Sequence, residues 1–179
     1  MNQKKVLYSV IILVCLGIIF TSVYYSLGGF TKTEVYVFEG ASRTVIGKHH
    51  IGKNNPEKIE EAMLEAKSMI ESGSLKGELV LVEFFDDTLS NNSTHYFIGA
   101  SFDEIRNILE LPSGFTYEEF KTDKIYRVFI TQHPLVRPLP SDIRSMMEVK
   151  AIEDGEVLQP FSFDLYYQDG SLRIESWAN

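Results

Sequence analysis

From Val6 to Thr31 no side chain carries a formal charge. A helix rises about 1.5 Å per residue, so Val6–Tyr25 alone spans roughly 30 Å, the thickness of a bilayer's hydrocarbon core. Tyr8 near one end and Tyr24-Tyr25 near the other suit the aromatic belts of a membrane helix. Lys4-Lys5 precede the run, and Lys32 comes after it. The sequence therefore predicts a single-pass anchor over residues 1–30, with membrane contact through Val6–Phe30, and a globular domain over residues 31–179. The lysine bias keeps the N-terminus in the cytoplasm. In a bacterium the domain then lies outside the inner membrane; an endoplasmic-reticulum anchor of opposite orientation is the alternative. A cleaved signal peptide competes, with Val6–Phe20 as its apolar core. Ser26-Leu27-Gly28 is its one weak cleavage site, and no Ala-x-Ala occurs. Val14 before Cys15 does not suit a lipoprotein signal.

The chain beyond the apolar run is large enough for one ordinary domain, about 150 residues. The protein has 17 basic and 25 acidic residues and a formal net charge of −8. Both lysines ahead of the apolar run are counted in that balance, so the domain is more acidic still. Such a surface argues against nucleic acid, whose phosphates demand a basic footprint. It suits a cationic ligand or partner. Cys15 is the only cysteine, which excludes a disulfide, a thiolate nucleophile and a cysteine zinc site from the domain.

The domain reads as α+β, with a βαββ order met twice. Glu34–Gly40 and Ser42–His49 are extended, rich in Val and Tyr. Asn55, Pro56 and Glu57 open a helix as cap, first-turn residue and dipole partner. Ile59, Ala62, Met63, Ala66, Met69 and Ile70 give it one apolar face, and Gly73 stops it. Glu78–Phe85 is a strand, Asp86–Thr94 a polar turn and His95–Phe102 the returning strand. Asp103–Leu111 reads as a short helix before a Pro-Ser-Gly loop. The second unit begins near Lys124, with Ile125–Gln132 as a strand. His133–Pro140 is a proline-rich connection. Ser141-Asp142 cap a second helix carrying Ile143, Met146, Met147 and Ala151 on one face. Phe161–Tyr167 and Leu172–Trp177 form a closing hairpin around Asp169-Gly170. Glu83 and Asp164 occupy matching places, each two residues before an aromatic, Phe85 or Tyr166. Period-two geometry puts each acid and its aromatic on one sheet face.

These units, together with Gly47-Lys48-His49-His50-Ile51-Gly52 before the first helix and Phe163-Asp164-Leu165-Tyr166-Tyr167 in the last hairpin, resemble the GyrI-like small-molecule-binding family. That family also supplies effector-binding domains of multidrug-sensing regulators. The likeness covers about Val35 to Trp177. It extends to a membrane-anchored group that includes a testis-expressed ER-phagy receptor, in which such a domain directly succeeds an N-terminal membrane helix. The sequence ends at Asn179, so the tail-borne autophagy motif of that group is not expected here. The resemblance implies an antiparallel sheet with both helices on one face and a concave groove between the copies. Members bind lipophilic cations there, or bind proteins; a few are hydrolases. The family carries Glu where Asp164 stands.

Asp164 and Glu83 are therefore the candidates for contacting a cationic ligand, with Tyr166, Phe85, Tyr126 and Trp177 as aromatic walls. The competing assignment makes the aromatics sheet packing and the acids solvated. His49 and His50 point to opposite faces of a strand, and His95 and His133 are distant in sequence, so no metal site is indicated. No Gly-x-Ser-x-Gly and no phosphate loop occurs. No cofactor is expected. Asn91 and Asn92 begin overlapping glycosylation sequons, relevant only in a eukaryotic secretory compartment. The leading function is a membrane-anchored ligand-binding or sensory domain. A tethered adaptor using the same concave face for a protein is the alternative. A hydrolase with Glu83 or Asp164 as general base ranks third.

Overall fold

The computed structural model describes residues 3–40, 42–85, 93–102 and 111–178. The expected helix at Asp103–Leu111 lies outside them but for Leu111. So do residues 86–92 of the expected Asp86–Thr94 turn, Asn91 and Asn92 among them; Ser93 and Thr94 instead begin a strand.

Helix α1 (Gln3–Ser26) contains the apolar stretch Leu7–Ser26, none of which is buried. Among the described residues it is the one helix long and apolar enough to cross a membrane. Its end is closed by a Schellman motif. Gly29 N–H donates to the Tyr24 carbonyl (2.9 Å) and Gly28 N–H to the Tyr25 carbonyl (3.0 Å). Gly28 supplies the left-handed turn at φ 80°, which a side chain would strain. Tyr24 and Phe30 then meet edge to face at 5.0 Å. The chain does not leave on a loose tether. His133 N–H donates to the Leu27 carbonyl (3.0 Å) and Gln132 Nε2 to the Thr31 carbonyl (3.3 Å).

Among the described residues eight strands form one antiparallel sheet: β1 (Val35–Glu39), β2 (Ser42–Lys53), β3 (Glu78–Phe84), β4 (Ser93–Phe102), β5 (Thr116–Lys121), β6 (Lys124–Ile130), β7 (Leu158–Tyr166) and β8 (Leu172–Ala178). Their spatial order is β1-β6-β8-β7-β3-β4-β2-β5. Thus β2, β4 and β3 lie together, as do β6, β8 and β7, and the two triplets meet at β3–β7. The outer strands are exchanged. β1 pairs with β6 of the later triplet, and β5 with β2 of the earlier one.

Strand β5 departs from the sequence reading, which has a loop before Lys124. Thr116–Lys121 is an edge strand in which only Phe120 is buried, so its apolar alternation is too sparse to register. Helix α2 (Pro56–Glu71) begins as expected, with the Asn55 side chain accepting from the Glu57 and Lys58 amides. Helix α3 (Pro140–Glu153) starts before the expected Ser141-Asp142 cap. Leu139 is its N-cap, without a side-chain hydrogen bond. Pro140 itself takes the first turn, where its fixed φ and missing N–H cost nothing. The proline-rich connection also holds one 3-10 turn, Pro134–Val136.

Both helices lie on one face. Ala62 and Ala66 of α2 pack on Leu81 and Ile98. Ile143, Met147 and Ala151 of α3 pack on Tyr126, Val128, Ile130 and Ile174. The other face needs no helix, because the sheet curls over itself. Phe120 on edge strand β5 sits 5.0 Å from Phe163 of β7, four strand positions away, where a flat sheet would separate them by roughly 19 Å. The paired glycines Gly47 and Gly99 allow the bend; a Cβ on either would strike the opposite backbone. Val80, Val82, Phe97, Phe161, Phe163 and Trp177 fill the resulting interior.

One carboxylate holds that interior. Glu175 has no exposed surface and accepts from Arg43 Nη1 (2.8 Å), Arg127 Nε (2.8 Å) and Trp177 Nε1 (3.2 Å). Arg173 Nε lies 3.1 Å from it.

Chains 31–123 and 124–179, made separately, will each lack cooperative unfolding, because each loses a partner for a sheet edge; cooperative melting of either half by circular dichroism would refute this. Glu175→Gln removes the one buried carboxylate that Arg43, Arg127 and Arg173 share. It should lower stability by about 3–5 kcal/mol, measured by urea denaturation.

Candidate functional site

The β3–β7 pairing sets the geometry. It joins Leu79 to Tyr166, Leu81 to Asp164 and Glu83 to Ser162. Cross-strand partners share a face, so the acids lie diagonally on adjacent strands, on the helix-bearing side. The helices flank this seam: α2 rests on β3 and β4, and α3 on β1, β6 and β8. Asp164 lies half-buried between the two helices.

The residues flanking Asp164 across the sheet are Ile174 and Leu81, then Val128 and Ile98. An ionised carboxyl in that apolar row is poorly solvated. Burial, and then the Glu83 charge, push the Asp164 pKa up to about 7. Its surface is partly accessible, but protein crowds the group on all sides, as at the bottom of a crevice. Among the described residues no donor hydrogen-bonds this carboxyl, and no cation offsets its burial.

Glu83 occupies a different row. Across the sheet run Tyr126, Ser176, Ser162, Glu83, Tyr96 and His50, a polar band through an apolar face. Burial raises the Glu83 pKa, while Tyr96 and Arg144 oppose the rise. Tyr96 Oη donates to Glu83 Oε1 at 3.4 Å. Burial and the same carboxylate push the Tyr96 hydroxyl up to about 12. Burial, then Asp164, raise Tyr166 as well. Arg144 of α3 stacks on Phe85 with its Cζ 3.6 Å from the ring centroid, and pairs with Glu148 at 2.8 Å. One guanidinium thus occupies an aromatic face beside an acid.

Of the six residues expected in the groove, Asp164, Glu83, Tyr166 and Phe85 meet at this seam. Tyr126 shares the face but is fully buried beneath α3, its hydroxyl 3.3 Å from Asp154. Trp177 lies on the opposite face, bonded to Glu175, because it stands an odd number of residues from Ile174. Neither forms a wall here. Tyr96 and Arg144 were not expected. Strand register brings Tyr96 to Glu83, and the placement of α3 brings Arg144 to Phe85. Leu79 and Tyr166, next to Asp164 on this face, line a cleft of about 980 Å³ together with Lys67, Ile70, Tyr167 and Gln168. Ligand sites commonly have volumes of this order.

A second cluster lies on the curled face. His49 and His50 do point oppositely, and β2–β4 pairing brings the distant His95 to His49. Their Nδ1 and Nε2 atoms are 3.0 Å apart, and His49 Nε2 is 3.1 Å from Glu118. The imidazoles stack on Phe97 and Phe84. Among the described residues no three His, Cys, Asp or Glu side chains are arranged to hold a metal.

No protein-family model matches this sequence, and no curated protein matches it. Solved structures do. The EcmrR C-terminal domain is similar over 83% of this chain and 97% of its own, with a TM-score of 0.51 and 12% identity. EcmrR in a DNA complex matches over 99% of this chain, α1 included, and 70% of its own, with a TM-score of 0.52 and 12% identity. SAV2435 bound to tetraphenylphosphonium matches over 83% of this chain and 94% of its own, at a TM-score of 0.42 and 11% identity. At 12% identity the likeness is one of fold: the EcmrR C-terminal domain shares the α+β architecture described above.

The Asp164 environment has a signed consequence. A carboxyl whose folded pKa exceeds its unfolded value of 3.8 binds its proton more tightly when folded. Its contribution is full below about pH 4 and is lost as pH rises through about 7. Asp164→Asn should remove that loss, up to about 1.4 kcal/mol per pH unit. Thermal melts of wild type and variant between pH 5 and 8 should diverge, with the variant falling less. Parallel curves would refute the buried-carboxyl description.

Proposed function

We propose that this chain is a membrane-anchored ligand-binding or sensory domain that takes a small amphipathic or cationic molecule into the groove between α2 and α3. The observation that carries this is Asp164: a carboxyl set in an apolar row, without donor or counter-cation among the described residues. A protein keeps so costly a group where something else compensates it. A bound cation does so. Glu83 adds a second acid, Phe85, Tyr96 and Tyr166 add aromatic surface, and the adjoining cleft admits the apolar body of such a ligand. In this reading Arg144 is the resident cation that a ligand must displace or avoid. The two βαββ units, with their exchanged edges, are copies of one ancestral unit. Residues 1–30 form the anchor and residues 31–179 the binding domain; the apolar stretch Leu7–Ser26 of α1, with no buried residue, supports this.

Titration calorimetry of fragment 33–179 with tetraphenylphosphonium, as a probe lipophilic cation, tests the groove. Asp164→Asn should weaken binding by about 2–5 kcal/mol, the cost of losing one desolvated charge partner. Glu83→Gln should weaken it less. Arg144→Gln should tighten it severalfold by freeing the Phe85 ring and the Glu83 charge. Unchanged affinity in Asp164→Asn would overturn the groove reading.

A further inference from the structure

We propose that the proline-rich loop between β6 and α3 is a second membrane contact, seating Leu135 and Leu139 in the bilayer interface beside the end of α1. The inference rests on the anchor reading above. Leu135 is 81% exposed and Leu139 64%, although the loop carrying them is tightly built. Val136 N–H donates to the His133 carbonyl (2.9 Å), and the Leu135 amide donates to His133 Nδ1 (3.4 Å). Arg137 turns inward, its Nε donating to the Gln132 carbonyl (2.8 Å) and its Nη2 to the Gly170 carbonyl (2.5 Å). The loop thus spends its one cation on its own backbone and presents two leucines outward. That is costly in water and useful against lipid.

Its position decides the occupant. The His133 amide is bonded to the carbonyl of Leu27, the residue that closes α1. Leu135 is two residues further, within about 7 Å along the chain. The interfacial layer on each side of the hydrocarbon core is roughly 5–8 Å deep. A helix that crosses the bilayer and ends at Leu27 therefore holds Leu135 at interfacial depth. Tyr25 and Phe30, 73% and 64% exposed, lie at the same level and suit the same layer. A second anchoring point fixes the domain's orientation, because one helix alone leaves it free to rotate about the membrane normal.

The test uses the full chain reconstituted in phosphatidylcholine vesicles. Trp177 is the only native tryptophan and is fully buried, so an added tryptophan reports its own site. Leu135→Trp and Leu139→Trp should be quenched at least twofold by lipids brominated in the acyl chain, with blue-shifted emission. Leu64→Trp, on the exposed side of α2, should be quenched by aqueous iodide instead. If Leu135→Trp and Leu139→Trp behave like Leu64→Trp while the chain resists carbonate extraction, the loop contact is overturned and the anchor stands. If carbonate releases the chain, the anchor reading fails and the loop contact fails with it.

Discussion

The register of one strand pair governs this domain. β3 and β7 are the seam at which the two triplets meet, and their pairing sets Leu81 against Asp164. Side chains alternate with period two, so a one-residue slip would reverse every inward and outward choice on the moved strand. Asp164 would enter the aromatic interior, and Phe163 would enter the groove. The alternation of Phe161, Phe163 and Leu165 with Ser162, Asp164 and Tyr166 makes that slip prohibitive. The same pattern that packs one face therefore poises a carboxyl on the other.

The faces solve opposite problems. The curled side buries Glu175 and answers it with three guanidinium groups and an indole N–H. Satisfied in this way, the charge fixes the relative positions of β2, β6 and β8. The helix side buries Asp164 and leaves it unanswered among the described residues. Two acids on neighbouring strands thus have contrasting roles: one is a structural clasp with donors on both oxygens, the other a group whose state depends on its surroundings. Burial alone does not distinguish them; the neighbours do.

Much of this was legible in the sequence. The neutral run gave α1, the Asn55-Pro56-Glu57 start gave α2, and the alternation in Phe161–Tyr167 put Asp164 and Tyr166 on one face. What escaped depends on quantities no local pattern carries. β5 contributes one buried side chain, so it lacked a periodic signal. Trp177 and Asp164 belong to neighbouring strands, and only their register separates them onto opposite faces. Tyr96 and His95 reach their partners across strands, and Arg144 reaches Phe85 through helix placement. Long-range pairing decides each of these, and pairing is set by the whole sheet.

The exchange of edge strands has a consequence in time. Val35 emerges early in synthesis, directly after the apolar helix, yet its partner is Val128. At roughly 5–20 residues per second, β1 waits for several seconds with its ladder unfilled. Tyr36, Val37 and Phe38 stay partly exposed even afterwards. During that interval the nascent chain presents an unpaired apolar strand a few residues from where α1 ends. The first strand made is among the last to be secured, so the chain's most exposed moment comes at the start of its life.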